Sequence, residues 1–222
     1  MKKEIYFVII GLIIAELMIF FGKISFGLII HIINILGITF LIIFSKLNIK
    51  IKNLLQSMTL IILLRMINFA MPQFFSLTIL QYPLIYGVMF IPIYSIVKSQ
   101  QMTIKDLGLA IDKKLLIYLP LAGLIGIFMA IIEFNIIYPI SFFKNINFSD
   151  IILIVVIMIF FIGTVEELIF RSILQTRIEK VFGAKSGILL SGGIFGIMHM
   201  SYGSINEIIF AGMFGIILGY IF

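Results

Sequence analysis

The chain has 222 residues, of which 62% are hydrophobic and 12% are charged. Soluble domains have about 45–50% apolar and about 25% charged residues. The composition therefore excludes a soluble domain and indicates a polytopic membrane protein. The absence of cysteine excludes disulfides, cysteine-ligated zinc and thiol nucleophiles. The formal charge of +6 does not indicate nucleic-acid binding, because the basic residues lie in short loops between apolar runs, where they orient a membrane protein.

Eight apolar segments predict an all-α bundle with about eight transmembrane helices. A bilayer core about 30 Å thick requires roughly 20 apolar residues per helix. On this rule the predicted segments are residues 5–22, 24–44, 54–71, 77–97, 115–133, 151–170, 187–199 and 208–222. The first segment contains no A-x-A-like cleavage site, so we expect an uncleaved membrane anchor rather than a signal peptide.

The distribution of basic residues predicts a cytoplasmic N-terminus. With this orientation thirteen Lys and Arg residues fall on the inner side, two fall outside, and Arg65 lies within a span. The inner residues are Lys2, Lys3, Lys46, Lys50, Lys52, Lys98, Lys105, Lys113, Lys114, Arg171, Arg177, Lys180 and Lys185, and the outer ones are Lys23 and Lys144.

Two loops divide the predicted helices. Residues 98–114 are predicted to form a charged elbow, either interfacial or cytoplasmic, and residues 133–150 are polar enough to leave the membrane on the other side. We therefore divide the chain into residues 1–114, with the N-terminal transmembrane helices and the elbow, and residues 115–222, which carry the functional core.

Four polar residues in the first three spans are isolated in sequence: Glu16, His31, Arg65 and Asn68. Ionisable groups inside a bilayer usually pair with one another, so we expect hydrogen bonds or ion pairs within the bundle, such as Glu16 with Arg65. A ligand or proton-carrier role for His31 is the alternative.

Glu166, Glu167 and Arg171 form the most informative cluster, near the end of the sixth segment. Glu167 and Arg171 are four residues apart and are therefore able to pair on one helix face, whereas Glu166 points about 100° away. One carboxylate is thus neutralised while its neighbour is free to act as a general base. The alternative is an ordinary cluster of acidic and basic residues at a helix end by the interface.

His199 is predicted to lie level with Glu166 on a neighbouring helix. A turn at Phe182 and Gly183 would make an antiparallel hairpin of the sixth and seventh helices, with Glu166 and His199 both about 24 Å from the turn at about 1.5 Å per residue. Gly192, Gly193 and Gly196 provide a side of small residues that would allow this close approach. Phe195, one turn before His199, is the candidate wall of a substrate pocket.

At these residues the sequence resembles the CPBP family of intramembrane proteases, also called the Abi or CAAX-protease family, whose members include CAAX prenyl-protein proteases and bacteriocin-immunity proteins. Its EExxxR motif is matched by Glu166, Glu167 and Arg171, and its FxxxH motif by Phe195 and His199. The segment from Asp106 to Leu109 resembles one that precedes the family core. The resemblance covers residues 151–222.

The family's third motif, a histidine followed four residues later by Asn or Asp, does not occur before residue 222, although Gly212, Gly215 and Gly219 resemble the segment that precedes it. We expect either a fragment of a longer protein or the loss of that helix. In both cases the 222-residue form is predicted to be weakly active or inactive.

The resemblance implies an endopeptidase in the cell membrane with a membrane-embedded or lipidated peptide as substrate, and the distribution of basic residues predicts that its active site lies toward the cytoplasmic half. Glu166 would activate a water, and His199 would bind this water or stabilise the oxyanion. Glu167 and Arg171 would hold the geometry, and Arg171 is a candidate to bind a terminal carboxylate. Zinc is a candidate cofactor, held by Glu166 and His199, although catalytic zinc usually has three protein ligands.

Two functions of other classes are compatible with the same residues. A catalytically lapsed relative would act as a membrane scaffold or immunity protein that binds a partner without cutting it. A small transporter would also place acids and a histidine in its bundle, but it would be expected to have inverted repeats with broken helices, and the sequence has no such pattern.

Overall fold

Each of the eight predicted segments corresponds to a helix in the computed structural model, which describes residues 3–70, 80–110, 115–137 and 147–222. The helices are α1 (Lys3–Phe20), α2 (Ile24–Phe44), α3 (Ile49–Ala70), α4 (Gln81–Ser99), α5 (Leu115–Ile137), α6 (Phe148–Phe182), α7 (Ala184–Ile197) and α8 (Ile205–Ile221). Within the described ranges, five helices are long and apolar enough to cross a membrane, namely α2 to α6, and α8 is a shorter apolar helix. The predicted all-helical, polytopic architecture is confirmed.

The helix ends differ from the predicted ones by a few residues. The largest difference is at α6, which continues to Phe182, twelve residues past the end of the predicted segment, because its last turns are amphipathic rather than apolar. Helix α3 begins at Ile49, five residues before its predicted segment, because hydropathy alone does not include its polar first turn. The start of the fourth predicted segment, much of the loop at 133–150, and Lys2, Lys113, Lys114 and Lys144 of the charge count lie outside the described residues.

Helix α3 lies at the centre of the bundle, since it has buried residues on several of its faces. Leu55, Leu60 and Ile61 have no exposed surface. Helices α2, α4 and α6 pack around α3, and α1 pairs with α2 along its length. Helix α5 packs against α8. Helices α3 and α4 therefore cover the face of α6 that carries Glu166.

Helices α7 and α8 cross so closely that their backbones touch at glycines. A Cβ atom on Gly196 would lie 2.6 Å from the Ile208 carbonyl oxygen and 2.8 Å from Gly212 Cα, and one on Gly192 would lie 2.7 Å from the backbone nitrogen of Ile216. Gly193 instead faces open space. The predicted close approach exists at Gly192 and Gly196, which pack against α8 rather than against α6.

The elbow after α4 is fixed by side-chain hydrogen bonds. Thr103 donates through its backbone N–H and its hydroxyl to Asp106 Oδ2, at 2.7 and 2.8 Å, and these bonds hold the pKa of the exposed Asp106 carboxyl below its usual value. Ser172 of α6 donates to the Leu107 carbonyl oxygen at 2.8 Å. Gly108 takes a positive φ of 69°. The segment that resembles the family's upstream element is thus attached to the glutamate-bearing helix.

Candidate active site

Glu166 lies in the middle of α6, on a short α-helical stretch between two π-helical ones. The π-helical stretches are Ile157–Gly163 and Leu168–Gln175, and Thr164–Glu167 is α-helical between them. π-Helical turns are rare and are often found at functional sites. Tyr86 of α4 donates its hydroxyl hydrogen to Glu166 Oε1 at 3.0 Å. This bond fixes one carboxylate oxygen of Glu166 against α4.

Arg171 pairs with Glu167 as predicted from their spacing. The Arg171 Nη1 atom lies 3.1 Å from Glu167 Oε1, and the side chain of Arg171 is 1% exposed, whereas that of Glu167 is 47% exposed. The guanidinium carbon lies 4.5 Å from the centre of the Phe195 ring, a distance at which a cation and an aromatic ring attract each other. Arg171 therefore joins α6 to α7 from within the protein.

The predicted hairpin of α6 and α7 is confirmed. Helix α6 ends at Phe182, and α7 begins at Ala184 after Gly183, which turns the chain with a φ of 89°. Ser191 of α7 donates to the Phe170 carbonyl oxygen at 2.7 Å. The rings of Phe170 and Phe195 meet edge to face, with centroids 4.9 Å apart. The hairpin is thus closed by a hydrogen bond and by aromatic packing next to Glu166.

His199 lies two residues after the end of α7, and one hydrogen bond defines its orientation. The Nδ1 atom lies 2.8 Å from the Phe195 carbonyl oxygen. A carbonyl oxygen can only accept a hydrogen bond, so Nδ1 carries the proton and, in the neutral ring, Nε2 keeps its lone pair. The ring also packs between Phe195, at 4.7 Å, and Tyr202, at 5.8 Å between centroids.

Glu166, Phe195 and His199 line one cavity of about 290 Å³. The other lining residues come mainly from α3, α4 and the turn after α7: Leu64, Arg65, Asn68, Phe69, Gln81, Tyr82, Ile85, Tyr86, Phe170, Met198, Ser201 and Tyr202. Glu167 and Arg171 do not line this cavity. The structure thus brings Glu166 and His199 to one space and places the Glu167–Arg171 pair behind it.

Several polar residues of the cavity were not recognised as site residues in the sequence. Tyr86 and Tyr82 lie one turn apart on α4, with ring centroids 6.4 Å apart, and Tyr202 follows His199 closely in sequence. Tyrosine is common at membrane interfaces, so no sequence signal separates these residues from interfacial ones. Arg65 was recognised as a polar residue of the bundle but not as a lining residue of the cavity.

The polar residues of the first three helices form a buried group that reaches the cavity through Arg65. Glu16 pairs with Arg65, as expected from the sequence, with 2.8 Å between Arg65 Nε and Glu16 Oε1. His31 Nε2 lies 3.1 Å from the same oxygen. The structure therefore places His31 beside Glu16 and not on the cavity that Glu166 and His199 line.

The donor atoms around the cavity do not make a zinc site. Among the residues that the structure describes, no three His, Cys, Asp or Glu side chains lie close enough together to hold a metal ion. Glu166 and His199 are two potential ligands, whereas catalytic zinc usually takes three from the protein. No step of the chemistry below is therefore assigned to a metal.

These features define a class of protein: a multi-pass, all-helical membrane protein with a polar cavity inside its bundle, lined by a carboxylate and a histidine from the two arms of a hairpin. Residues 148–222, about the last third of the chain, match a family whose description is type II CAAX prenyl endopeptidase Rce1-like. This segment contains Glu166, Glu167, Arg171, Phe195 and His199, and the match is consistent with a CPBP family protein. No curated protein and no solved structure shows a significant match to the chain.

Proposed function

We propose that the protein is an intramembrane endopeptidase of the CAAX-protease type, which hydrolyses a peptide bond of a membrane-associated substrate. The observation that carries this proposal is that Glu166 and His199, from the two arms of one hairpin, line the same cavity inside the bundle. The family match of residues 148–222 supports the same reaction class.

The proposed chemistry begins with a water held by two acceptors. The water donates one hydrogen to the Glu166 carboxylate and the other to Nε2 of neutral His199. Nε2 can accept this hydrogen because the ring proton is on Nδ1, which donates to the Phe195 carbonyl. A water bound in this way keeps an oxygen lone pair directed at the scissile carbonyl carbon. Placing it there supplies much of the rate enhancement, because positioning removes an entropic part of the barrier.

The remaining steps need one proton to move twice. Glu166 takes a proton from the water as the oxygen adds to the carbonyl carbon, which gives a tetrahedral oxyanion. The same proton then passes to the amide nitrogen as the C–N bond breaks, and an acid and an amine leave. Tyr202 supplies a hydroxyl donor on the cavity wall for the oxyanion, whereas the single hydroxyl hydrogen of Tyr86 is donated to Glu166.

Glu167 and Arg171 act through position rather than contact in this mechanism. They lie outside the cavity lining, and Arg171 holds Phe195 through its guanidinium at 4.5 Å. Because Phe195 also accepts the Nδ1 hydrogen bond of His199 through its carbonyl, the ion pair stabilises the segment that orients His199. This placement favours a positioning role for Arg171 over the binding of a substrate carboxylate.

We place the protein in the cell membrane with its N-terminus in the cytoplasm. The support for this orientation is the split of basic residues between the two sides, thirteen to two. Glu166 then lies toward the cytoplasmic half of the membrane, and a lipidated or membrane-embedded peptide would reach it from that side. The class of partner is therefore a membrane-anchored peptide, not a nucleic acid.

The experiment that tests this function is a cleavage assay on the purified chain in liposomes. A peptide tethered to the bilayer by a lipid is supplied in ¹⁸O-labelled water with the protein in excess, so that a single turnover is observed. One ¹⁸O atom in the new carboxyl group, and its absence with Glu166→Gln, supports hydrolysis by Glu166. If Glu166→Gln retains the full biological function of the protein, the non-catalytic scaffold or immunity role is favoured instead.

Tyr86→Phe is expected to slow cleavage about 10- to 100-fold, because a hydrogen bond to a charged group contributes about 1.5–3 kcal/mol and Glu166 loses this donor. Single-turnover rates measure the effect. Tyr82→Phe, one turn earlier on the same helix and also on the cavity wall, is the matched control and should change the rate less. Equal effects of the two substitutions would contradict a specific bond between Tyr86 and Glu166.

A further inference from the structure

A buried ionic chain connects the N-terminal helices to the turn that carries His199. It begins at His31 of α2, which contacts Glu16 of α1, and it continues through Glu16 to Arg65 of α3. The side chains of His31 and Glu16 have no exposed surface and that of Arg65 is 4% exposed. Charged groups at such depth are costly unless they are paired, and they are by default functional candidates.

Arg65 uses its other two nitrogens on both sides of His199. Its Nη1 donates to the Ser201 hydroxyl at 3.1 Å, and its Nη2 donates to the Met198 carbonyl oxygen. Since Met198 and Ser201 bracket His199 in the chain, one guanidinium holds the backbone before the histidine and a side chain after it. Helix α1 also packs against the short turn Met200–Tyr202.

The position of Arg65 also fits the end of α7. Helix α7 ends at Ile197, and the last carbonyl groups of a helix have no partner within it. Phe195 and Gly196 find donors in the Nδ1 atom and the backbone N–H of His199, and Met198 finds its donor in Arg65. A cation is also favoured at a helix C-terminus by the helix dipole.

We propose that Arg65 is a positioning residue for His199, with Glu16 as its counter-ion and His31 as the second partner of Glu16. The bonds from Arg65 fix the turn after α7 and thereby direct the imidazole into the cavity. All three residues lie outside the segment 148–222 that matches the family. The N-terminal helices are thus part of the catalytic arrangement and not only an anchor in the membrane.

The first test uses Arg65→Lys, which keeps a positive charge beside Glu16 but loses the planar fork that reaches both Met198 and Ser201. The single-turnover cleavage rate should fall about 10- to 100-fold, since small displacements of a catalytic group are costly in rate. Arg177→Lys is the matched control, because Arg177 is also buried and hydrogen-bonded, to Gln100, but does not line the cavity. An unchanged rate with Arg65→Lys would overturn the proposal.

The second test separates positioning from folding. In the double variant Glu16→Gln/Arg65→Met the buried arginine and glutamate charges are removed together, whereas Arg65→Met alone leaves Glu16 buried without its arginine partner. The double variant should therefore regain thermal stability relative to Arg65→Met without regaining cleavage. If cleavage returns together with stability, the network is only structural and the proposal fails.

The third test is independent of the proposed proteolysis, on which the two rate measurements rest. The chain has two histidines, His31 and His199, so the ring signals of ¹⁵N-labelled histidine in nanodiscs can be assigned with His31→Asn. Arg65→Lys should shift the signal of His199, whereas Arg177→Lys should not. Ser201→Ala removes one bond of Arg65 but leaves its ion pair with Glu16 intact, so it should shift the His199 signal less than Arg65→Lys does. This variant replaces Arg65→Lys in the test if the Arg65 variants do not fold.

The outcomes distinguish the two hypotheses. A shifted His199 signal with no difference in cleavage between the wild type and Glu166→Gln would refute the proposed function and retain the role of Arg65. A His199 signal that responds neither to Arg65→Lys nor to Ser201→Ala would refute the role of Arg65, whatever the protein cleaves.

Discussion

Replacing Glu166 by glutamine is expected to lower the single-turnover cleavage rate by about 10²- to 10⁴-fold, the range of general acid–base catalysis by a positioned side chain. Glutamine has nearly the same shape, and its amide oxygen can still accept the hydrogen bond from Tyr86 that Glu166 accepts at 3.0 Å. It cannot take a proton from water at neutral pH. The variant should therefore fold and insert normally, with a thermal transition close to that of the wild type.

Glu167→Gln provides the comparison from the neighbouring residue. Glu167 does not line the cavity, but it pairs with Arg171, which is 1% exposed. Removing one member of a fully buried ion pair costs about 3–5 kcal/mol, and the cost here should be smaller because the Glu167 side chain is 47% exposed. We expect a lower thermal transition and a milder loss of cleavage than with Glu166→Gln. Equal losses of cleavage in the two variants would contradict the assignment of the base to Glu166.

The sequence was sufficient for the helices and for the hairpin that brings the site together. Apolar runs of membrane length predict helices strongly because an unpaired backbone is not tolerated in hydrocarbon. Gly183, with a φ of 89°, takes a conformation that glycine adopts without steric cost, so the turn was predictable as well. Equal numbers of residues between that turn and each of the two side chains then predicted that Glu166 and His199 lie at one level.

The partners of these two residues were not predictable from periodicity. Tyr86 is 80 residues before Glu166 in sequence, and nothing in an apolar helix indicates which of its tyrosines faces a distant carboxylate. The π-helical stretches on both sides of Thr164–Glu167 change which side chains share a face, and the ideal 3.6-residue period does not describe them. The packing of the whole bundle decides both features.

The sequence predicted only some of the contacts of Arg65. Its pairing with Glu16 was expected because two opposite charges in the first and third apolar spans have few other partners. Its bonds to Met198 and Ser201 depend on how the end of α7 packs against α3. These two residues follow Arg65 in the sequence by 133 and 136 positions. A charge pattern therefore predicts the ion pair, but not the third element that the pair stabilises.

The glycines of α7 lead to the second large effect. Gly196→Ala is expected to destabilise the protein by at least about 1–3 kcal/mol, the usual cost of overpacking, because the new Cβ would lie 2.6 Å from the Ile208 carbonyl oxygen and 2.8 Å from Gly212 Cα. These neighbours are backbone atoms, so relief requires α7 and α8 to separate. At about 2–4 °C per kcal/mol for a chain of this size, thermal unfolding in detergent should detect the change.

Gly193→Ala, three residues earlier on the same helix, is the matched control, because a Cβ there meets no atom within 4 Å. Gly212→Ala probes the same crossing from α8, where the nearest atoms would be at 3.7 and 3.8 Å, an ordinary contact distance. Both should unfold within about 2 °C of the wild type, since surface or uncrowded substitutions usually change stability by less than about 0.5 kcal/mol. If Gly193→Ala destabilises the protein as much as Gly196→Ala does, the α7–α8 contact does not explain the loss, because helix propensity by itself favours alanine over glycine. Because His199 follows the C-terminus of α7 directly, separation of these helices by Gly196→Ala should also slow cleavage, and Gly193→Ala should leave it unchanged.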